Sequence, residues 1–285
     1  MLALAVTGDV GAGKSTVAKL WEQAGAALLD ADRIVHALWR RGDILRRAVD
    51  RWGPHILDER GALIPGKAAE AAFGDEREYR WLCDLLHPPV RIEMERAAAS
   101  LDGWVVAEIP LLFEGGVPWW IDATVYVTAS DSVRLRRNAA RGWDDGEIRR
   151  REAHLLPRSQ KKRLATMVIE NDGSLEDLNR RAEVMARDFA AMAGLCRASV
   201  SFPTREAAQA YASFLQDARL GTRMTFTDDR HADGSEVVGL TFVTTERAFA
   251  ELNAGLASPE SALSLSGIRR MAYGAREALW RELQR

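Results

Sequence analysis

Residues 8–16 constrain this chain more than any other stretch, because they combine glycines with one lysine at a fixed spacing. They read GDVGAGKST, so that Gly8, Gly13 and Lys14 stand in the order glycine, four residues, glycine, lysine. An apolar run at residues 2–6 predicts a buried strand before them, and an amphipathic pattern predicts a helix after them. In this order of strand, turn and helix, inward-facing backbone amides bind a phosphate chain.

We therefore expect nucleotide binding at this loop, since glycines let the backbone approach phosphates with no Cβ atom in the way. Lys14 would place an ammonium near the β and γ phosphates, and Ser15 would ligate Mg2+. Only five lysines occur in the chain, against thirty-four arginines, so a lysine here is no accident of composition. The alternative is a glycine-rich turn that binds nothing. The residues predicted to bind the nucleotide are Gly8, Gly11, Ala12, Gly13, Lys14, Ser15 and Thr16.

Composition sets the class of protein. A chain of 285 residues with 47% hydrophobic residues is long enough for one large or two ordinary globular domains. Its formal net charge of -2 gives no general signal for a nucleic-acid or anionic membrane partner. The N-terminus is strand-like and leads at once into the glycine-rich loop, which is unlike a signal peptide or a membrane span. We expect a cytoplasmic protein.

Two carboxylates stand at the ends of predicted buried strands. Asp32 follows the apolar run 26–29, so it should lie on the same sheet edge as the loop. It is either a base that accepts a hydroxyl proton or an ordinary helix cap. Glu108 ends the apolar run of the predicted strand 104–109, where a carboxylate needs a cation, and we expect Mg2+ there. The alternative for Glu108 is a solvated position past the strand end.

Residues 40–100 contain helical patterns and no convincing strand, which predicts a helical insertion between the second and third strands. Within it, Pro88 is expected to disfavour helix at His87 and to expose that imidazole at an element boundary. His87 and Arg91 are candidates to contact the acceptor substrate. The alternative for His87 is a satisfied boundary residue with no function.

Charge changes sharply in residues 134–163, which we call the lid. This segment holds eleven cations against four acids, a net charge of +7. A basic segment of this kind can close over phosphates, stabilise the transferred group and exclude water. Arg137 and Arg141 stand four residues apart on one helix face and are the candidate catalytic cations. A solvated face or a nucleic-acid patch is the alternative.

The remaining pattern predicts two domains. Strands at 123–128 and 165–170 and a long helix complete a five-stranded α/β domain at about residue 194. From residue 198 to 285 the order strand, helix, strand, strand, helix, with a short strand near 263–265, predicts a small α+β domain of ferredoxin-like type. It contains no catalytic cluster, so packing, self-association or a protein partner is its expected role.

Five segments together resemble the dephospho-CoA kinase family. They are the loop at 8–16, DAD at 30–32, LLHP at 85–88, EIPLLFE at 108–114 and VIENDG at 168–173. The resemblance covers the first domain alone. It implies a P-loop kinase-like parallel sheet with a helical substrate insertion and a lid. It also implies transfer of the γ-phosphate of ATP to the ribose 3'-hydroxyl of dephospho-CoA.

The resemblance implies a role for each candidate. Asp32 is the catalytic base, His87 and Arg91 face the small-molecule acceptor, and Arg137 and Arg141 belong to the lid. No nucleic acid or membrane takes part. The residues alone leave two alternatives open: another small-molecule kinase, or a nucleotide-dependent binding or regulatory protein that acts through its C-terminal domain.

The chain departs from the family pattern at three positions. Glu108 replaces an aspartate, although a glutamate can still reach Mg2+ directly or through water. Leu155 and Thr166 stand where the family tends to glutamine and aspartate. For this reason Arg151 is not among the predicted lid contacts.

Overall fold

The computed structural model describes residues 1–230, 236–256 and 273–283 of the chain. The chain divides into two compact units, Met1–Arg187 and Asp188–Arg285. No helix within the described residues combines the length and the apolar character that a membrane span requires. The predicted strand near 263–265 lies outside the described residues.

The first unit contains a five-stranded parallel sheet with the order β2-β3-β1-β4-β5. Residues of β1, β3 and β4 are buried throughout, as expected for apolar runs in a parallel sheet covered on both faces. The register pairs Val6 and Asp30 with Glu108, so the carboxyl ends of the three strands meet at one edge. The strands are β1 (Leu2–Gly8), β2 (Ala27–Asp30), β3 (Trp104–Glu108), β4 (Ala123–Thr128) and β5 (Met167–Glu170).

Helices connect the strands and supply the predicted insertion and lid. A short 3-10 turn, Pro54–Ile56, lies inside the insertion, which is otherwise formed by α3, α4 and α5. The lid residues fall on α6, α7 and α8. The helices are α1 (Lys14–Gln23), α2 (Ala31–Leu38), α3 (Gly42–Trp52), α4 (Pro65–Phe73), α5 (Glu76–Ala99), α6 (Asp131–Ala139), α7 (Asp145–Glu152), α8 (Arg158–Leu164) and α9 (Leu175–Ala193).

Helix α5 runs without a break through Pro88 and Pro89, so the predicted helix boundary at His87 is wrong. Each interior proline removes a backbone hydrogen bond and costs about 3 kcal/mol. The helix persists because its apolar face, including Leu85 and Met94, is buried in a core cluster shared with α2 and β3. Tertiary packing here outweighs local propensity.

The second unit contains an antiparallel three-stranded sheet with the order β6-β8-β7. The predicted succession of strand, helix, two strands and helix is present, and both hairpin strands extend beyond their predicted ends. The ferredoxin-like assignment stays a prediction. The elements are β6 (Leu195–Phe202), α10 (Arg205–Asp217), β7 (Thr222–Arg230), β8 (Glu236–Thr245), α11 (Glu246–Leu256) and α12 (Tyr273–Leu283).

Candidate active site

The glycines of the loop stand where side chains cannot fit. A Cβ atom on Gly8 would lie 1.9 Å from the backbone oxygen of Val127 on the neighbouring strand β4. Gly13 has φ 101°, and a Cβ atom there would lie 2.6 Å from Nδ2 of Asn171. Since α1 begins at the next residue, Lys14, its first free backbone amides face the space that the loop encloses. The loop is therefore built to hold an anion.

Lys14 lies inside this loop. Its Nζ donates hydrogen bonds to the carbonyl oxygens of Gly8 (3.1 Å) and Asp9 (3.0 Å). Burial lowers the pKa of Lys14, while the nearby carboxylates of Glu108, Asp9 and Asp32 oppose that shift. A pocket at the start of α1 brings five of the seven predicted nucleotide residues together with both predicted lid arginines, whereas Gly8 and Ala12 do not line it. Its lining is Gly11, Gly13, Lys14, Ser15, Thr16, Arg137 and Arg141.

Glu108 ends β3 and is buried, with only 6% of the residue exposed, so the solvated alternative is wrong. Its Oε1 accepts a hydrogen bond of 2.5 Å from the hydroxyl of Ser15. Burial raises the pKa of Glu108, and the bond from Ser15 counters part of that effect. Mg2+ is commonly held by one or two carboxylates together with phosphate and water oxygens. The two oxygens of this pair fit such an ion, although the described residues contain no group of three or more histidine, cysteine or carboxylate ligands.

Asp30 and Asp32 lie two residues apart, but only Asp30 caps helix α2. Asp30 is the N-cap of α2, and its Oδ1 accepts the backbone N–H of Arg33 at 3.1 Å. Asp32, in the first turn, therefore does not cap the helix. Its side chain is open to solvent at the junction of two hollows, whose walls desolvate it in part. This desolvation, with the charge of Asp30, raises the pKa of Asp32.

The first hollow is apolar and lies between α2, α5 and the loop that follows β3. Its titratable members are Asp32, His87 and Arg91, so the three predicted acceptor residues share one space. Burial and the neighbouring Arg91 lower the pKa of His87, which favours its neutral form. Arg91 donates a hydrogen bond of 3.1 Å to the carbonyl of Gly116 across the hollow. Such a space suits a flat, uncharged group.

Two lid arginines approach the loop to different extents. Arg137 makes long hydrogen bonds of 3.4 Å to the carbonyl of Ala12 and to Oδ1 of Asn171. Nδ2 of Asn171 donates a hydrogen bond of 2.8 Å to the same carbonyl of Ala12, and this bond fixes the loop backbone. The guanidinium of Arg141 lies 5.6 Å from the ring centre of Trp143 and borders the loop pocket.

A second set of polar contacts between the lid and the loop was not predicted from the sequence. The carboxylate of Glu152 on α7 accepts the backbone N–H of Val10 at 3.2 Å and pairs with Arg134 of α6. Arg134 donates from Nε to the carbonyl of Val10 at 2.9 Å. Because Arg134 is buried, it is a structural member of the lid and not one of its solvated cations. A count of lid charges could not separate it from the others.

Asp9 fixes the loop to β4 and α8, and this role was not predicted from the sequence. It is 2% exposed and accepts hydrogen bonds from the hydroxyls of Tyr126 and Thr128, the latter at 2.6 Å. Nε of Arg158 at the start of α8 lies 2.9 Å from the same carboxylate. Burial and the bond to Asp9 raise the pKa of Tyr126. The signal was absent because Asp9 fills one of the four unspecified positions of the loop pattern.

The segment after β3 is tied to the lid by a buried ion pair. Nζ of Lys161 on α8 lies 2.8 Å from Oε1 of Glu114, which also accepts the backbone N–H of Leu156 at 3.0 Å. Glu114 closes the EIPLLFE segment on which part of the resemblance rests. This glutamate therefore attaches the lid to the segment that follows β3.

Comparisons with known proteins identify relatives of the part of the chain that carries this site. A dephospho-CoA kinase from Geobacillus kaustophilus is 34% identical over 197 residues, which are 67% of this chain and 98% of the relative. One from Deinococcus radiodurans is 38% identical over 191 residues, covering 65% of this chain and 91% of the relative. The crystal structure of TT1252 from Thermus thermophilus aligns with a TM-score of 0.54 at 34% identity, over 66% of this chain and 97% of that one.

At the level of fold alone, a dephospho-CoA kinase structure from Campylobacter jejuni aligns with a TM-score of 0.51 at 21% identity, over 66% of this chain and 96% of that one. The family model of dephospho-CoA kinase matches residues 2–177. That match contains the loop, the helical insertion and the lid. The chain therefore belongs to the dephospho-CoA kinase family.

Proposed function

We propose that this protein transfers the γ-phosphate of ATP to the ribose 3'-hydroxyl of dephospho-CoA, the last step of coenzyme A biosynthesis. The observation that carries the proposal is the position of Asp32. It stands on the sheet edge that carries the phosphate-binding loop and at the mouth of an apolar acceptor hollow. A carboxylate so placed faces an alcohol on one side and a phosphate donor on the other. Membership of the family names the alcohol.

The loop and the start of α1 bind the phosphates of ATP through backbone amides. We infer that Lys14, which donates to the carbonyls of Gly8 and Asp9, turns its ammonium to the β and γ oxygens when the nucleotide binds. Arg137 and Arg141 add charge from the lid side. These groups stabilise the charge that spreads over the transferred group.

Asp32 accepts the proton of the 3'-hydroxyl as that oxygen attacks the γ-phosphorus. The bond between the γ-phosphorus and the bridging oxygen breaks, and ADP leaves with that electron pair. A raised pKa makes Asp32 a stronger base than an ordinary aspartate, which favours proton transfer. His87 and Arg91 hold the acceptor in the hollow beside it.

Mg2+ is the expected metal, held by Ser15 and by Glu108 directly or through water, and it would neutralise phosphate charge. We assign the activity to residues 1–194, with the insertion at 40–100 and the lid at 134–163. The segment 198–285 is proposed to serve packing, self-association or a protein partner. We place the protein in the cytoplasm, with no nucleic-acid or membrane partner.

A coupled ADP-release assay with a panel of acceptors tests this function. The wild-type protein should turn over dephospho-CoA far better than plain nucleosides. Lys14→Ala and Asp32→Asn variants should both lose turnover while their circular dichroism spectra stay unchanged. Full activity of either variant on dephospho-CoA would show that the residue roles are wrong, and no turnover by the wild type would reject the function.

A further inference from the structure

Asp32 borders a second hollow besides the apolar one. This wider cleft runs from α2 past α4 and α5 to α7. It is lined by three arginines, Arg40, Arg60 and Arg151, and by His36. Asp32 is the only carboxylate among the described residues that line it. The cleft is therefore cationic except at the predicted base.

The arginines are available to a ligand. Arg40 and Arg60 are exposed, and neither guanidinium makes a hydrogen bond or an ion pair within the described part of the chain. Arg151 is held in a fixed position. Its Nε donates a hydrogen bond of 2.7 Å to Oε1 of Glu147, and its guanidinium lies 3.9 Å from the ring centre of Trp143. This leaves its two terminal nitrogens to donate. Guanidinium groups are well suited to binding phosphate oxygens through paired hydrogen bonds.

The two hollows meet at Asp32, and this junction matches the branching of a nucleotide acceptor. A ribose whose 3'-hydroxyl faces Asp32 carries its base on one side and its 5'-phosphate arm on the other. The apolar hollow with neutral His87 suits the base, and the cationic cleft suits the diphosphate. Apolar side chains of the cleft, including Trp39, offer contact to the uncharged arm beyond the diphosphate.

We propose that Arg40, Arg60 and Arg151 bind the diphosphate of the acceptor, while its base enters the apolar hollow between α2 and α5. This inference rests on the proposed function and adds the direction in which the acceptor lies. The donor phosphates have a separate set of cations at the loop, namely Lys14 and Arg137 among others. The two sets can therefore be tested independently.

The experiment measures KM for dephospho-CoA, KM for ATP, and the inhibition constant of adenosine competing with dephospho-CoA. The variants are Arg40→Gln, Arg60→Gln, their double variant, and Arg151→Gln. Arg46→Gln is the matched control, since Arg46 is an exposed arginine of the same insertion that does not border the cleft. Arg60→Lys tests whether charge alone is sufficient.

We expect the double variant to raise KM for dephospho-CoA at least tenfold, because hydrogen bonds to charged groups are lost. The KM for ATP and the inhibition constant of adenosine, which lacks the diphosphate, should stay at the wild-type values. Arg151→Gln should behave in the same way, Arg60→Lys should recover part of the loss, and Arg46→Gln should change nothing.

A KM for dephospho-CoA within twofold of the wild type in the double variant would overturn the diphosphate site and leave the proposed function standing. An equal weakening of adenosine would also overturn it, since the effect would not depend on the diphosphate. A wild-type protein with no turnover of dephospho-CoA would overturn both proposals.

Discussion

At the scale of single residues, Asp30 and Asp32 show how two carboxylates of one short segment acquire different tasks. Asp30 is committed to the backbone N–H of Arg33, whereas Asp32 faces two hollows and has a raised pKa. The negative charge of Asp30 contributes to that shift. The residue that caps α2 thereby helps to raise the pKa of the proposed base beside it.

The first prediction concerns the pH dependence of Asp32. A base works only when deprotonated, so kcat/KM should rise with pH and level off above the pKa of Asp32. Because that pKa is raised, the acid limb should lie at higher pH than for an ordinary aspartate. In Asp32→Asn the limb should disappear and kcat should fall by about 10²–10⁴, the usual contribution of a general base. An unchanged limb in the variant would assign it to another group.

The second prediction separates stability from activity at Glu108. Burial raises its pKa, so the ionised form is disfavoured in the folded protein and weakens stability as pH rises. Glu108→Gln keeps an oxygen that can accept the bond from Ser15 but carries no charge. At pH 8 its melting temperature should equal or exceed that of the wild type, while kcat should fall at least about tenfold through loss of charge at the proposed Mg2+ site. A lower melting temperature with full activity would contradict both expectations.

At the scale of elements, the lid is attached to the phosphate loop through buried polar groups. Glu152 of α7 and Arg134 of α6 bind the N–H and the carbonyl of Val10, respectively. A loop that must keep its amides pointing inward gains a fixed backbone from these contacts. The lid helices therefore support the backbone of the phosphate loop.

The third prediction follows from this attachment. Glu152→Gln should lower the free energy of unfolding by about 1–3 kcal/mol, because the buried guanidinium of Arg134 then keeps only the exposed carboxylate of Asp131 as a charged partner. It should also raise KM for ATP more than KM for dephospho-CoA. Asp145→Asn on the same helix is the control, since its ion pair with Arg149 is exposed and should contribute little. Equal behaviour of the two variants in denaturant titrations would exclude a supporting role for Glu152.

The local features of this fold could be predicted from the sequence. The loop, the buried strand carrying Glu108 and the edge position of Asp32 follow from short-range patterns, and the structure agrees with each. The break at Pro88 was wrong because burial of the rest of α5 outweighs the lost hydrogen bonds. The contacts of Val10 with Glu152 join residues far apart in the chain, and no local pattern encodes them. Long-range polar contacts therefore had to come from the structure.

At the scale of the whole molecule, the match to the family model lies within the first of the two units. The family model ends at residue 177, and the curated relatives match about two thirds of the chain. The second unit has its own core, in which Phe202, Leu215 and Leu240 are buried. It contains no catalytic residue of the proposed mechanism.

The fourth prediction concerns this second unit. A chain of residues 1–194 should keep kcat and both KM values within about threefold of the full chain, since domains with separate cores fold independently. Steady-state kinetics of the truncated and full-length proteins, together with their elution volumes in size-exclusion chromatography, give the comparison. Loss of activity in a folded truncated protein would assign the second unit a part in catalysis.

The central claim is tested most directly by identifying the product. Purified protein is incubated with ATP, Mg2+ and dephospho-CoA, and the products are analysed by mass spectrometry and ³¹P NMR. We predict one equivalent of ADP and one of coenzyme A with a phosphomonoester on the ribose 3'-oxygen, and almost none with Asp32→Asn. Phosphate on another atom, ADP with no phosphorylated acceptor, or full product from Asp32→Asn would contradict this account.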